Sequence, residues 1–414
     1  MIHHPRLKLY TFFHHYYLIL LTIIFGKFNK GDNLKLLQEK FCVLTNKKYS
    51  IPVPMARVGI FLLVKHFLKK GRNEVILSPY TVADVINMVI VAGGKPVFVD
   101  IDRKTCNIDE SKINSLITEK TCLVMATHFY GKVCNFDKLR KICKNYNIPF
   151  IEDAAQALGA KYKNKMAGTF GSAGVYSFGM YKNINSFYGG IIVTDDKNIY
   201  ESVNSSIIDW PRQSIFLYLK KVFSGIATDL VTSKFLYNLF FFKFFRWAFI
   251  NDVSIINNKL KIDVNPKIKK KLPHDYKVRM SDLQARIVLK QIDNLDKNTI
   301  ARIELAKVWF NGLKSIDQII LPKYTDDFSN MYWYFPIQYR SRKKLVRFIL
   351  EQGFDISESY HRNCASLKCF KEYKKNCSNA QATADSLIYL PTYPGYPKSD
   401  AKRITVLIKK YFEK

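Results

Sequence analysis

From residue 74 onward the chain alternates between two hydrophobic periods, and that alternation limits its possible folds more than any other feature. "EVILSPY" (74–80) reads as a strand, and "VADVINMVIVAG" (82–93) has helical spacing and ends on glycine. "KPVFVDID" (95–102) and "CLVMATHFYG" (122–131) are strands again. "NFDKLRKICKNYN" (135–147) is an amphipathic helix that leads into the strand "IPFIEDAA" (148–155). Strands separated by helices of this length predict a mostly parallel α/β sheet. Ligands in such sheets gather at the carboxyl ends of the strands. "IPFIEDAAQ" and "GVYSFGMYK" both place polar residues at those ends, so Asp153 and Lys182 are expected to face one crevice from neighbouring strands.

The rhythm fails in two places. Residues 203–270 form a basic, aromatic insertion; its centre, "SIFLYLKKVFSGIATDLVTSKFLYNLFFFKFFRWAFI" (214–250), contains a single acid, Asp229. Residues 1–50 are an N-terminal arm whose apolar run, "YTFFHHYYLILLTIIFG" (10–26), is interrupted by His14 and His15. Neither stretch supplies the roughly 20 uninterrupted apolar residues that a spanning helix needs. Basic residues interleaved with Phe and Trp suit a helix lying on an anionic bilayer, or equally an insertion packed on the body. The periodicity from 276 predicts one long helix, after which a strand and two helices close the chain. The expected organisation is an arm (1–50), a large domain (51–285) carrying the insertion, and a smaller α+β domain (286–414).

Sixty-five Lys and Arg against 34 acids leave a formal charge of +31. That excess favours a polyanionic partner, either anionic lipid or a phosphorylated substrate. No zinc-finger spacing, aromatic RNA-binding motif or basic heptad accompanies it, so nucleic-acid binding is not expected. The eight cysteines show no CxxC pair or metal spacing, which suits a reduced cytoplasmic protein, peripheral at the inner membrane face if the aromatic stretches touch lipid.

Lys182 follows an apolar strand on a turn rich in Ser, Asn and Gly. A solvated surface lysine is one reading. The other is a lysine that bonds covalently to a carbonyl compound. A lysine and a carboxylate sharing a strand-end crevice are what pyridoxal phosphate chemistry needs: the lysine holds the cofactor and the carboxylate keeps the pyridine nitrogen protonated.

The stretch "FIEDAAQALGAKYKNKMAGTFGSAGVYSFGMYKN" and the following "GGIIVTDD" carry an acidic pair, Ala-Ala-Gln-Ala, then Ser-Phe-x-x-x-Lys-Asn and paired glycines. In order and spacing this resembles the DegT/DnrJ/EryC1/StrS family of sugar aminotransferases. "THFYGKVCNFDKL", "RMSDLQARIVLKQIDNLD" and "LIYLPTYPGYP" continue the likeness over about residues 50–200 and 270–414. The resemblance implies a fold-type I pyridoxal phosphate-dependent transferase, with a mostly parallel seven-stranded sheet in its large domain. It implies Lys182 as the catalytic, cofactor-bearing lysine and Asp153 as partner of the pyridine nitrogen. Gln156 would lie against the ring and Ser177 at the phosphate. The phosphate loop falls on "MARVG", where Ala56 and Arg57 would offer backbone N–H groups. The implied reaction moves an amino group, with glutamate as donor, to a nucleotide-linked 4-keto-6-deoxy sugar for surface glycans. The implied assembly is a homodimer.

Several positions depart from the pattern. Val82 stands where the family stacks an aromatic ring on the cofactor, leaving Tyr80 as the ring that could stand in for it. Phe187-Tyr188 replace Gly-Glu before the paired glycines, and Lys277 replaces the asparagine that reaches the neighbouring subunit's phosphate. A dehydratase branch carries His at the lysine position, and Lys182 argues against it. A catalytically decayed, membrane-associated or regulatory member of the fold is the remaining alternative.

Overall fold

The computed structural model describes residues 2–11, 13–253, 255 and 265–413. Met1, Phe12 of the apolar arm, Ser254 and residues 256–264 of the insertion, and Lys414 lie outside the described residues.

Seven β-rich runs pair into one sheet. They are β1 (Tyr49–Val53), β2 (Glu74–Leu77), β3 (Lys95–Phe98), β4 (Thr121–Thr127), β5 (Phe150–Asp153), β6 (Ala173–Ser177) and β7 (Gly190–Thr194). Their spatial order is β1-β7-β6-β5-β4-β2-β3. Six strands run the same way, and β7 runs against both of its neighbours. All seven residues of β4 are buried, as expected for a parallel strand covered by helices on both faces.

Register determines what stands on the rim of the sheet. Gly190 pairs with Ser177 on one side and with Val53 on the other. Asp153 pairs with Val175, and Thr127 with Asp153. The carboxyl ends of β1, β5 and β6 and the amino end of β7 therefore meet along one edge. The loops leaving that edge carry Ala56, Arg57, Gln156 and Lys182.

The expected long helix from 276 is instead two helices, Asp282–Ile292 and Leu295–Leu313. The first is delayed by a capping box at Ser281: its hydroxyl accepts the Gln284 N–H at 3.3 Å, and its own N–H donates to the Gln284 side chain at 2.9 Å. The apolar spacing continues across the break at Asp293-Asn294, so periodicity alone did not mark it. The second helix contributes Leu295 to the core of the large domain and Ile303 to Leu313 to a separate core. That second core gathers around a three-stranded antiparallel sheet built from Phe335–Gln338, Leu387–Leu390 and Ser357–Glu358. The helices Arg342–Glu351 and Lys398–Phe412 cover it.

The insertion is helical over Ile215–Val231 and again from Lys234 to Ile250, with a wide turn at Tyr237–Phe241. It packs with the first helix of the arm, Phe13–Ile24, whereas the arm's second helix, Asn33–Thr45, buries Leu37 and Phe41 in the core of the sheet. Asp229 accepts hydrogen bonds from Tyr16 at 2.6 Å and Thr11 at 2.5 Å. Ile19, Phe28, Tyr218 and Val222 form a small core with Phe187. Phe187 holds a φ of +68°, and an added Cβ at Gly225 would stand 2.4 Å from its ring. Among the described residues no helix is long and apolar enough to cross a membrane, and no disulfide joins any of the eight cysteines.

Gly225→Val should overpack the seat of the insertion on Phe187 and favour its local opening about tenfold or more. Limited proteolysis should then cut between residues 208 and 250 correspondingly faster than in the parent chain. An unchanged cleavage rate would mean that the helix does not rest on Phe187.

Candidate active site

The loop from Phe178 to Gly189 joins β6 to β7 and carries Lys182. The Phe178 N–H donates to the Gly189 carbonyl at 3.0 Å, which closes its base, and the Lys182 N–H donates to the Gly179 carbonyl at 2.9 Å. The two asparagines of "KNIN" tie it down. Asn183 donates to the Leu158 carbonyl at 3.1 Å, and the Asn185 backbone N–H donates to the Gln291 side chain at 2.9 Å while its carbonyl accepts from that side chain at 2.7 Å. From the small domain, the Trp333 indole donates to the Tyr181 carbonyl at 2.8 Å. The Lys182 ammonium lies 4.4 Å from the centre of the Trp333 ring. Burial pushes the Lys182 amine down to about 8, against the attraction of Asp153 and with help from Arg57. A lysine so placed is a poor surface cation and a good nucleophile.

The acidic pair at the end of β5 divides because successive side chains leave a strand on opposite faces. Glu152 is fully buried and takes N–H bonds from Gly168 and Gly171, each at 2.6 Å, and from Phe170 at 2.5 Å. His128 also bonds it, at 3.0 Å. Four donors around one carboxylate make an anchor for the segment preceding β6. His128 therefore lies beneath the crevice rather than in its wall. Asp153 faces the crevice. Burial raises its carboxyl above the usual range, although the Ala155 N–H and the nearby Lys182 pull the other way.

The helix Ala56–Phe67 begins at the rim with Met55 extended at its N-cap and no capping side chain. The first-turn N–H groups of Ala56 and Arg57 have no acceptor within the helix, an arrangement that favours an anion. Beside them the Arg57 guanidinium and Lys269 both pair with Asp84, and Tyr276 donates to the same carboxylate at 2.7 Å. Burial works against the Asp84 charge, but Arg57 and Lys269 hold its carboxyl below the ordinary range.

Lys182, Asp153, Gln156, Ser177, Ala56 and Arg57 all line one cavity of about 380 Å³. That volume is within the range of small-molecule sites. The Gln156 side-chain oxygen accepts the Tyr130 N–H at 2.8 Å. Val82 is in the wall, but Tyr80 is not. Tyr80 is fully buried, and its hydroxyl is bonded to Tyr130 at 2.9 Å and Ser359 at 3.1 Å. It cannot serve as the stacking ring. Phe129, Trp333, Tyr360 and His361 supply aromatic wall instead, and Lys221 reaches in from the insertion. His361 is pushed down to about 3 by burial and by Lys182, so it stays uncharged. Sequence reading missed these residues because three of the five come from the small domain and one from the insertion.

The donor set suits pyridoxal phosphate. A buried carboxylate with too little positive charge around it, an amine with a lowered pKa and a helix N-terminus beside a hydroxyl occupy one cavity. Lys182 would hold the cofactor's carbonyl carbon, Asp153 its ring nitrogen, and Ser177 with the Ala56 and Arg57 N–H groups its phosphate. Because only the neutral amine attacks, attachment of pyridoxal phosphate should quicken about tenfold per pH unit below 8 and level off above it. Stopped-flow absorbance between pH 6 and 9 reads this directly. A flat profile, or a rise continuing past pH 9, would remove the amine with the lowered pKa from the account.

A sequence model of the DegT/DnrJ/EryC1/StrS aminotransferase family matches residues 22–207 and 260–409 and leaves 208–259 unmatched. The chain is 27% identical over 382 residues to a Methanocaldococcus jannaschii protein designated MJ1066, covering 90% of this chain and 88% of that one. It is 25% identical over 398 residues to the spore coat polysaccharide biosynthesis protein SpsC of Bacillus subtilis, covering 94% and 92%. Among solved structures, Helicobacter pylori PseC, an aminotransferase of pseudoaminic acid biosynthesis, superposes with a TM-score of 0.75 at 20% identity, covering 100% and 99% of the two chains. The E. coli GDP-4-keto-6-deoxy-D-mannose-3-dehydratase gives 0.76 at 20% identity, covering 98% and 99%. The chain belongs to the DegT/DnrJ/EryC1/StrS aminotransferase family and is a fold-type I, pyridoxal phosphate-dependent enzyme.

Proposed function

We propose that this chain transfers an amino group, with glutamate as donor, to the ketone of a 4-keto-6-deoxy sugar destined for a surface glycan. The observation that carries the reading is the meeting of Lys182, Asp153 and the Ala56–Phe67 helix N-terminus in one cavity. Bound there, pyridoxal phosphate supplies an electron sink that allows the donor's amino group to be taken up and passed on. Lys182 Nζ is the group placed to move the proton at the reacting carbon. Asp153 keeps a proton on the ring nitrogen by offering it a buried counter-charge. Trp333 and Tyr360 close the cavity from the small domain and limit water. A lysine at 182, where the dehydratase branch carries histidine, favours transfer over dehydration. Phe187 and Tyr188 are the best sequence support for a decayed enzyme, yet both have a packing role. Phe187 seats the insertion, and Lys221 lies 5.4 Å from the centre of the Tyr188 ring. We take the working unit to be a homodimer, as the resemblance implies.

The enzyme with added pyridoxal phosphate should develop a visible band that glutamate bleaches. Lys182→Ala should bind the cofactor without that band, and Asp153→Asn should slow bleaching by about 100-fold or more. A parent enzyme that binds the cofactor but responds to no amino donor would overturn the reading.

We also propose peripheral contact with an anionic bilayer. The arm helix exposes Phe13, Tyr17, Leu20 and Ile24, and the first insertion helix exposes Phe216, Phe223 and Leu230. Phe240, Phe244 and Trp247 do the same on the second, beside the exposed Lys234 and Lys243. Such stripes bordered by lysine suit the interfacial plane. The protein should sediment with phosphatidylglycerol vesicles and lose at least about tenfold in partitioning on Phe216→Asp with Phe223→Asp. Recovery of the parent protein wholly in the supernatant would contradict this.

A further inference from the structure

A second cavity, about 510 Å³, lies between the insertion, the start of the arm and the small domain. Ala227, Val231, Phe245 and Phe249 line it from the insertion, and Tyr334 and Tyr389 from the small domain. Tyr181 and Tyr360 stand in its wall and also in the wall of the Lys182 cavity, so the two spaces adjoin. The insertion helices have a double character as a result. Phe245 and Phe249, one turn apart, face the cavity, while Phe244 and Trp247 of the same helix face solvent.

The charge of this cavity bears on its occupant. Its ionisable acids and bases are Arg6 and Lys343 against Asp252, Asp355 and Glu358, two cations to three carboxylates. Both cations are already paired, Arg6 with Asp355 at 2.7 Å and Lys343 with Asp252 at 2.6 Å. Arg342 pairs with the third carboxylate, Glu358, at 3.4 Å, so among the described residues a nucleotide brought here would find no free cation to meet its phosphates. An apolar chain meets aromatic rings and aliphatic side chains and loses no charge pairing. The spare cation is in the other cavity: among the described residues no carboxylate pairs with Lys221, which lines the Lys182 cavity.

We infer that the second cavity holds the apolar chain of a lipid-carried keto-sugar, whose sugar reaches Lys182 past Tyr181 and Tyr360 while Lys221 meets its phosphate linkage. This deepens the amino-transfer reading and rests on it; it also replaces the nucleotide carrier implied by the family resemblance. Two further observations support it. The insertion helices that wall the cavity, from Ile215 to Ile250, fall within 208–259, the stretch left unmatched by the family's sequence model. The outward faces of the same helices carry the apolar, lysine-bordered stripes from which a lipid-borne chain would be handed over.

The test uses the full-length enzyme loaded with pyridoxal phosphate and a farnesyl diphosphate bearing a benzophenone. Irradiation should label peptides spanning 224–232 or 245–249. Excess unmodified farnesyl diphosphate should suppress the labelling, and excess UDP should not. Ala227→Trp, which narrows the cavity from a residue remote from the chemistry, should cut labelling at least about tenfold while its visible band and its bleaching by glutamate persist. Labelling confined to other peptides, labelling indifferent to Ala227→Trp, or displacement by UDP would each overturn the inference. Failure of the amino-transfer reading is separately visible, as a cofactor band in the parent enzyme that does not respond to glutamate.

Discussion

A side chain at position 190 would have nowhere to go. A Cβ on Gly190 would lie 2.8 Å from both the Ala56 nitrogen and the Tyr176 carbonyl oxygen, a separation that backbone atoms cannot widen without parting the strands. This close approach lets β7 pass between β1 and β6 and brings the start of the Ala56–Phe67 helix up against the strand that leads to Lys182. The helix-start end and the lysine end of the cavity are thus set by one contact of bare backbone. Neighbouring Gly189, at a φ of +120°, provides the turn that delivers the chain to that contact. The paired glycines at the end of the lysine loop are therefore part of the site's geometry.

The second constraint is the division of labour between adjacent acids. Glu152 spends its charge on three backbone N–H groups and His128, which fixes the approach to β6. Asp153, one residue on, faces the cavity with much less to satisfy it. Period-two alternation in a buried strand sends one carboxylate into the fold and the other to the wall of the cavity. The resulting imbalance at Asp153 is met only by a cation, either the lysine ammonium or a protonated ring nitrogen.

Much of this was legible in the sequence, and for physical reasons. Buried parallel strands such as β4 are continuous apolar runs, and the helices between them keep a 3.6-residue period, so the α/β sheet could be read directly. That the six residues expected on the cofactor side share one cavity was legible because they lie on short loops at strand ends in one domain, where spacing along the chain reflects spacing in the site. Trp333, Tyr360 and His361 were not, since no local pattern reports that a small-domain loop will close over a strand rim more than 100 residues away. Tyr80 failed as a stacking ring because its hydroxyl is held in a buried network with Tyr130 and Ser359. The helix break near Asp293 was hidden because apolar spacing persists across it. The departures at Phe187 and Tyr188 became interpretable only with the insertion in place. They are aromatic where it packs, so a reading of the catalytic motif by itself takes an adaptation for a loss.

The central claim is that Lys182 is the residue that holds pyridoxal phosphate in this cavity. Borohydride reduction of the loaded enzyme, followed by proteolysis and mass spectrometry, tests it most directly. The account predicts a phosphopyridoxyl adduct on the peptide containing Lys182, with the other lysines unmodified despite their number. An adduct on any other lysine, or none on a protein that has taken up the cofactor, would contradict it.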